Sequence, residues 1–335
     1  MGTIDVPLEF YLDDAEAAQV VGLVRELGAA GAEPAAATFY DRSWQHALRL
    51  PERLRLFLAQ FRRGEAAAAC LVHGLPTEDA VLGPTPRHWD TPAGDRATLG
   101  HELFLGLCGL VLGEPFGWAT LQSGRIVQNI LPIVGDERRQ NGYGSRALLE
   151  FHTEDGFHPQ RCDYLLLLGL RNPDEVPTIV SSVRDVKLDP EDRAVLSQPR
   201  FLIFPDDEHV RQLQARDPDH PALRRARQLL EAPDPVPVLF GDPADPYLRL
   251  DRPFMRCVGD DPVAERALDT LMAELERVQQ DVVVRPGSLL VVDNYRAVHG
   301  RRSFDVRYDG TDRWLKKLTA SRDLRRGLSS GRVLA

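Results

Sequence analysis

A chain of 335 residues with 43% hydrophobic and 27% charged residues has the balance of a water-soluble globular protein and is long enough to bury a sizeable core. Its formal net charge of −9 argues against a nucleic-acid or anionic-membrane partner, and no apolar run reaches the roughly 20 residues that span a bilayer. Four cysteines, at 70, 108, 162 and 257, form no CxxC pair, and Cys70 and Cys108 lie in apolar stretches, so buried thiols in a reducing cytoplasm are expected. The start, Met1 to Asp5, has neither the basic and apolar regions of a secretory leader nor the Ser or Thr of a myristoylation signal.

The first hundred residues read as mostly helical. Asp13-Asp14-Ala15-Glu16 predicts a capped helix ending at Gly28, and Pro51 to Arg63 a second, with the proline in its first turn. Ala68 to His73 is a short strand closed by Gly74, a loop covers Gly83 to Gly94, and Asp95 to Leu112 suits a long buried helix. The middle turns to strands at 127–133, 164–170 and 178–183, bounded by Pro, Gly and Asn-Pro signals. A helix is expected over 189–197. The polar, proline-dotted stretch 205–235 reads as an insertion or lid. Strands resume at 236–240 and 247–250, a helix covers 261–279, and strands at 282–284 and 288–292 lead to His299.

The chemistry concentrates in His152-Thr153-Glu154, His299 and Arg313, the last fourteen residues beyond His299. Two histidines and a carboxylate are the set that holds non-haem Fe(II) on one face, with positions left open. On an extended strand residues i and i+2 project to one side, so His152 and Glu154 could reach one metal. An arginine offers a permanently charged fork for a carboxylate; the other reading of Arg313 is a surface ion pair with Asp309 or Asp312. A lone His-x-Glu carries little weight. Joined to His299, which lies just past an apolar strand that ends in the turn Asp293-Asn294, and to Asp312-Arg313-Trp314-Leu315, it becomes half of a signature. Because the ligands lie far apart in sequence, one closed fold must assemble them. His158 is read as lying behind the ligands or at the surface, since a fourth ligand would block oxygen. His73, His88 and His101 are read as structural, and Arg322, Arg325 and Arg326 around Asp323 as a solvated face. The glycines between 124 and 144 suggest a mobile loop over the site.

The segments at 117–120, 151–155, 170–174 and 294–315 resemble the clavaminate-synthase-like Fe(II)/2-oxoglutarate oxygenases. Within that group they most resemble hydroxylases of free arginine, lysine or asparagine, of the viomycin-pathway arginine β-hydroxylase type. The likeness runs from about Leu50 to the C-terminus, and Arg307 to Leu315 is its most specific run. The resemblance implies an α+β, mainly β fold: a double-stranded β-helix (jelly-roll) core with flanking helices, as one domain over 1–335 whose helical part is about 1–115. It implies Fe(II) held by His152, Glu154 and His299, with 2-oxoglutarate on Arg313 and Thr178, and O₂ as the oxidant. Substrate contacts carried over are Gln122, Glu154, Asp251 and Lys317. The family's second aspartate is here Pro253, and the arginine that meets the substrate carboxylate is here Lys317. A single carboxylate suits an ammonium better than a guanidinium fork, which leans the reading to lysine over arginine. The expected activity is hydroxylation of a free basic amino acid at C3 or C4 in specialised metabolism, such as antibiotic biosynthesis. Alternatives are a desaturase or epoxidase, another polar or carrier-tethered amino acid, and a jelly-roll module that only binds. The other reading of Asp251 is an exposed turn carboxylate.

Overall fold

The computed structural model describes residues 5–91, 97–324 and 332–334. Two sheets dominate it. The larger runs, in spatial order, Leu8–Tyr11, Ala69–His73, Leu289–Asp293, Tyr164–Arg171, Trp314–Ser321, Glu114–Trp118 and Val333–Leu334, with Gln128–Ile130 also pairing to Trp314–Ser321. The smaller runs Gln280–Val282, Thr178–Ser182, Ala297–Arg301 and Leu149–His152. Its pairings are all antiparallel, and the two parallel pairs both lie towards the edges of the larger sheet.

Alternation along the strands decides the layers. In Tyr164–Arg171, Leu165 and Leu167 face inward and pack with Val180, Val282 and Ala297 of the smaller sheet. Tyr164, Leu166 and Leu168 face outward onto the helices. A strand covered on both faces needs an unbroken apolar run, and every residue of Tyr164–Arg171 is buried. The outer layer holds Asp14–Ala29, Glu52–Gly64 and Leu99–Leu112. The first is closed by a capping box, Asp13 accepting from Glu16 N and Glu16 from Asp13 N. The last is apolar almost all round because it is covered on most sides. Pro262–Val278, capped by Asp261, covers the outer face of the smaller sheet.

Several expectations are corrected in their bounds. Pro51 is the N-cap of Glu52–Gly64 rather than a first-turn residue. The strand expected over 127–133 is confined to Gln128–Ile130, the part that pairs with Leu315 to Lys317, and Pro132 beyond it has no N–H to donate. The nominally helical first third also contributes two strands to the larger sheet. Leu8–Tyr11 is only four residues long with one buried side chain, too short for periodicity to reveal. The polar stretch 205–235 holds two helices, Asp207–Arg216 and Pro221–Glu231. The loop expected over 83–94 and the helix expected from Asp95 run partly outside the described residues; the helix is described from Leu99. Arg325 and Arg326 lie outside them too. Arg322 is not a solvated charge: it pairs with Glu65 at 2.9 Å and donates to Tyr164 Oη at 2.6 Å.

Candidate active site

His152 closes the strand Leu149–His152, and its direct cross-strand partner is His299 of Ala297–Arg301. The rings lie 4.2 Å apart between centroids. Glu154 is not on the strand. The chain turns after His152, and the turn is fixed by Asn294, whose Oδ1 accepts from Glu154 N at 2.6 Å while its Nδ2 donates to Glu154 O and Cys162 O at 3.0 Å. Strand alternation therefore accounts for His152 alone; a fully buried asparagine from another segment aims Glu154. The sequence signal for it was the Asp293-Asn294 turn, read only as the end of a strand.

One ligand atom from each of His152, Glu154 and His299 lies within 4.8 Å of the others. Glu154 Oε2 is 3.4 Å from His299 Nε2. His152 Nδ1 is 2.9 Å from Glu150 O, a carbonyl that can only accept, so the hydrogen sits on Nδ1 and the Nε2 lone pair is free for a metal. Burial, reinforced by His299, pushes His152 down to about 4, so it is a neutral donor at pH 7. Burial works against the Glu154 carboxylate, but Lys317, 2.5 Å away, and His299 outweigh it and hold the carboxyl well below its usual range. Two imidazoles and one ionised carboxylate match a divalent metal bound on one face. His158 is no fourth ligand and no surface group: it is buried, edge-on to Trp118 at 4.7 Å.

The metal set opens into a cavity of about 110 Å³, whose wall is built by alternation. Leu315 and Lys317 point in from the larger sheet with Leu165 and Leu167, Arg313 lines it from just before the strand Trp314–Ser321, and Thr178, His299 and Arg301 line it from the smaller sheet. Arg313 is buried with no ion pair among the described residues; it donates through Nη2 to Thr178 Oγ1 at 3.4 Å, and its Nε has no partner. The surface pairing with Asp309 or Asp312 does not occur, since Asp312 accepts instead from Arg307 N and Asp309 from Thr311. Burial and the nearby Arg301 push the Arg313 guanidinium down to about 9. A buried cation of this kind is costly unless an anion joins it.

Asp251 is buried on the same wall, not exposed on a turn, and its Oδ1 has no partner among the described residues. Burial, then Asp206, Glu154 and Asp155, push its carboxyl well above the ordinary value. Asp206, missed by sequence reasoning, lines the cavity while capping Asp207–Arg216 through Glu208 N and His209 N. Lys317 also lines it. Gln122 is fully buried and not part of the wall; its amide is spent on Asn129 N, Asn129 O and Tyr143 Oη. Tyr143 stands on the wall in its place. Of the other histidines, His73 is 3.0 Å from Ser288 Oγ and His101 3.0 Å from Thr77 Oγ1, both away from the cavity.

A facial metal triad beside an unpaired arginine, between two sheets, defines a metal-dependent oxygenase that takes a carboxylate cosubstrate. Residues 125–319 match the family of the taurine catabolism dioxygenase TauD and TfdA, and the chain belongs to that family. It is 41% identical over 332 residues to the enduracididine β-hydroxylase of Streptomyces hygroscopicus, covering 95% of this chain and 96% of the other. To the L-ornithine/L-arginine 3-hydroxylase of Catenulispora acidiphila it is 44% identical over 288 residues, covering 82% and 83%. The structure superposes with a TM-score of 0.90 on the non-haem iron oxygenase OrfP in complex with Fe, succinate and (3S)-hydroxy-L-Arg, at 39% identity and over 98% and 99% of the two chains. With OrfP bound to Fe and α-ketoglutaric acid the TM-score is 0.85. The chain is thus a dioxygenase of the iron- and 2-oxoglutarate-dependent kind.

Proposed function

We propose that this protein hydroxylates a free basic L-amino acid, with arginine-type substrates favoured over lysine, at C3 or C4. The observation that carries the reading is the buried carboxylate of Asp251, whose Oδ1 has no hydrogen-bond partner among the described residues, in the cavity that also holds the His152–Glu154–His299 set and Arg313. An apolar or acidic substrate would leave Asp251 orphaned, whereas a cationic side chain satisfies it. Pro253 removes one carboxylate, but Asp206 supplies a second beside Asp251, so a guanidinium fork again finds two acceptors. The likeness to an L-ornithine/L-arginine 3-hydroxylase and to an enduracididine β-hydroxylase supports the same substrate class and C3.

In this reading His152, Glu154 and His299 hold Fe(II), Arg313 takes the distal carboxylate of 2-oxoglutarate with Thr178 beside it, and Lys317 faces the substrate carboxylate. Bound there, iron with 2-oxoglutarate and O₂ supplies the oxidising power that replaces a C–H hydrogen by hydroxyl, releasing succinate and CO₂. The chain's own residues orient the substrate and exclude water. Helix Asp207–Arg216 serves as a lid. Polar contacts hold it: Glu208 accepts from Asn141 at 2.9 Å, Arg211 pairs with Asp136 at 2.8 Å, and His209 meets Asp155 at 3.2 Å and Thr120 at 2.7 Å. The architecture fits one domain with a double-stranded β-helix at its centre, and four free, buried cysteines suit a reducing cytoplasm. Among the described residues no helix is long and apolar enough to cross a membrane.

The deciding experiment incubates the protein with Fe(II), ascorbate, 2-oxoglutarate and a panel of free amino acids, reading succinate and product mass. A gain of one oxygen on arginine or a close analogue is expected; loss of two hydrogens would make the enzyme a desaturase. His152→Ala should bind no iron and form no succinate. No succinate from the unaltered protein with any amino acid would sink the proposal.

A further inference from the structure

One phenol on the cavity wall carries a hydrogen for which the described residues offer no acceptor. Tyr143 is held in place by its own turn, since Asn141 Oδ1 accepts from Tyr143 N at 3.0 Å and from Gly144 N at 2.9 Å. Its oxygen accepts from Gln122 Nε2 at 2.8 Å and from Gln212 Nε2 at 3.3 Å. Amide nitrogens only donate, so both lone pairs of the phenol are taken and its own O–H must find an acceptor elsewhere. Among the described residues it donates to none. Burial pushes the phenol up to about 12, so the hydrogen stays on at neutral pH.

What surrounds that hydrogen suits an anion. Lys317 lines the same cavity, and of the three donors on its ammonium one is spent on Glu154. Gln128, the cross-strand partner of Lys317, lines it too. Gln212, from helix Asp207–Arg216, clamps the arrangement twice: its Oε1 accepts from Gln122 N at 2.8 Å while its Nε2 donates to Tyr143. Gln122 and Ser123 are both left-handed, with φ of 41° and 60°, a conformation non-glycine residues keep only where their surroundings hold them.

We propose that Tyr143 is a substrate-binding residue whose O–H donates to the α-carboxylate of the amino acid beside the Lys317 ammonium, with its orientation set by Gln122 and by Gln212 of the lid helix. This rests on the amino-acid reading of the cavity and gives it a reason to demand a free carboxylate. Gln212 thereby ties the phenol's setting to the helix Asp207–Arg216.

The test is Tyr143→Phe in the full chain, which keeps the ring and removes only the hydroxyl. Binding is measured by anaerobic calorimetry with Fe(II) and 2-oxoglutarate present, for L-arginine and for agmatine, which lacks the carboxylate. L-Arginine affinity should fall about tenfold, the size of one hydrogen bond to a charged group. Affinities for agmatine and 2-oxoglutarate should stay as in the unaltered protein. Unchanged L-arginine binding, or an equal loss for agmatine, overturns the assignment of Tyr143. An unaltered protein that binds no basic amino acid overturns the substrate reading itself, and this inference with it.

Discussion

Asp251 and Arg313 are opposite cases of one physical situation, a buried ionisable group to which the described residues offer no counter-ion. Each costs folding energy, and each is repaid when a ligand of opposite sign arrives. Asp251→Asn should therefore lower affinity for a basic amino acid about tenfold or more, as expected for a lost charged hydrogen bond. It should leave 2-oxoglutarate binding unchanged and the ligand-free protein no less stable, which substrate titration and thermal unfolding together check. Arg313→Met should act on the other ligand, raising KM for 2-oxoglutarate about tenfold or more with the amino-acid KM little moved. Steady-state kinetics varying each substrate in turn separates the two.

At the scale of elements, alternation and close approach build the site. Lys316 and Lys317 are neighbours, yet the strand turns Lys316 outward to Glu102 and Asn129, each at 2.7 Å, and Lys317 inward to Glu154. His299 meets His152 only because the strands Ala297–Arg301 and Leu149–His152 run close together. Gly300 marks how close: a Cβ there would lie 2.5 Å from Leu149 O. Gly300→Ala must push the strands apart, at a cost of roughly 1–3 kcal/mol. Denaturant unfolding should show the loss, and iron affinity should fall with it because His299 moves relative to His152.

Across the whole molecule, a network of charges ties the outer helices to the catalytic half. Glu65, just past the helix Glu52–Gly64, accepts from Arg296 Nη2 at 2.8 Å and Arg322 Nη1 at 2.9 Å, and Arg296 also pairs with Asp245 at 2.7 Å. Asp293 lies among them, pushed up to about 6, chiefly by burial. Its folded value lies above the unfolded value near 3.9, so the folded state holds the proton more tightly between those pH values. Stability from this group is present below about pH 4 and lost as pH rises through about 6. Asp293→Asn keeps an acceptor for Tyr295 N and Arg296 N, so relative to the unaltered chain it should gain stability from pH 4 to pH 7. Denaturant midpoints at the two pH values check this; a difference that does not change with pH would refute it.

The sequence by itself determined the chemistry: which residue types could hold a metal, which arginine could take a carboxylate, and where most helices and central strands run. Those features are local, written in caps, alternation and a short motif, and the resemblance carried the ligand roles. What only the tertiary structure decided depends on residues distant in the chain. Asn294 aims Glu154, Asp206 joins Asp251 across forty-five positions, and Gln212 reaches Gln122 and Tyr143 from a helix that read as polar insertion. Burial belongs to the same class. The sequence showed Asp251 and Arg313 as charges with alternatives, and the folded chain removed the alternatives by burying both with no counter-ion among the described residues. A charge in water needs nothing, whereas a charge enclosed between two sheets requires a ligand, and only the packing of those sheets distinguishes the two.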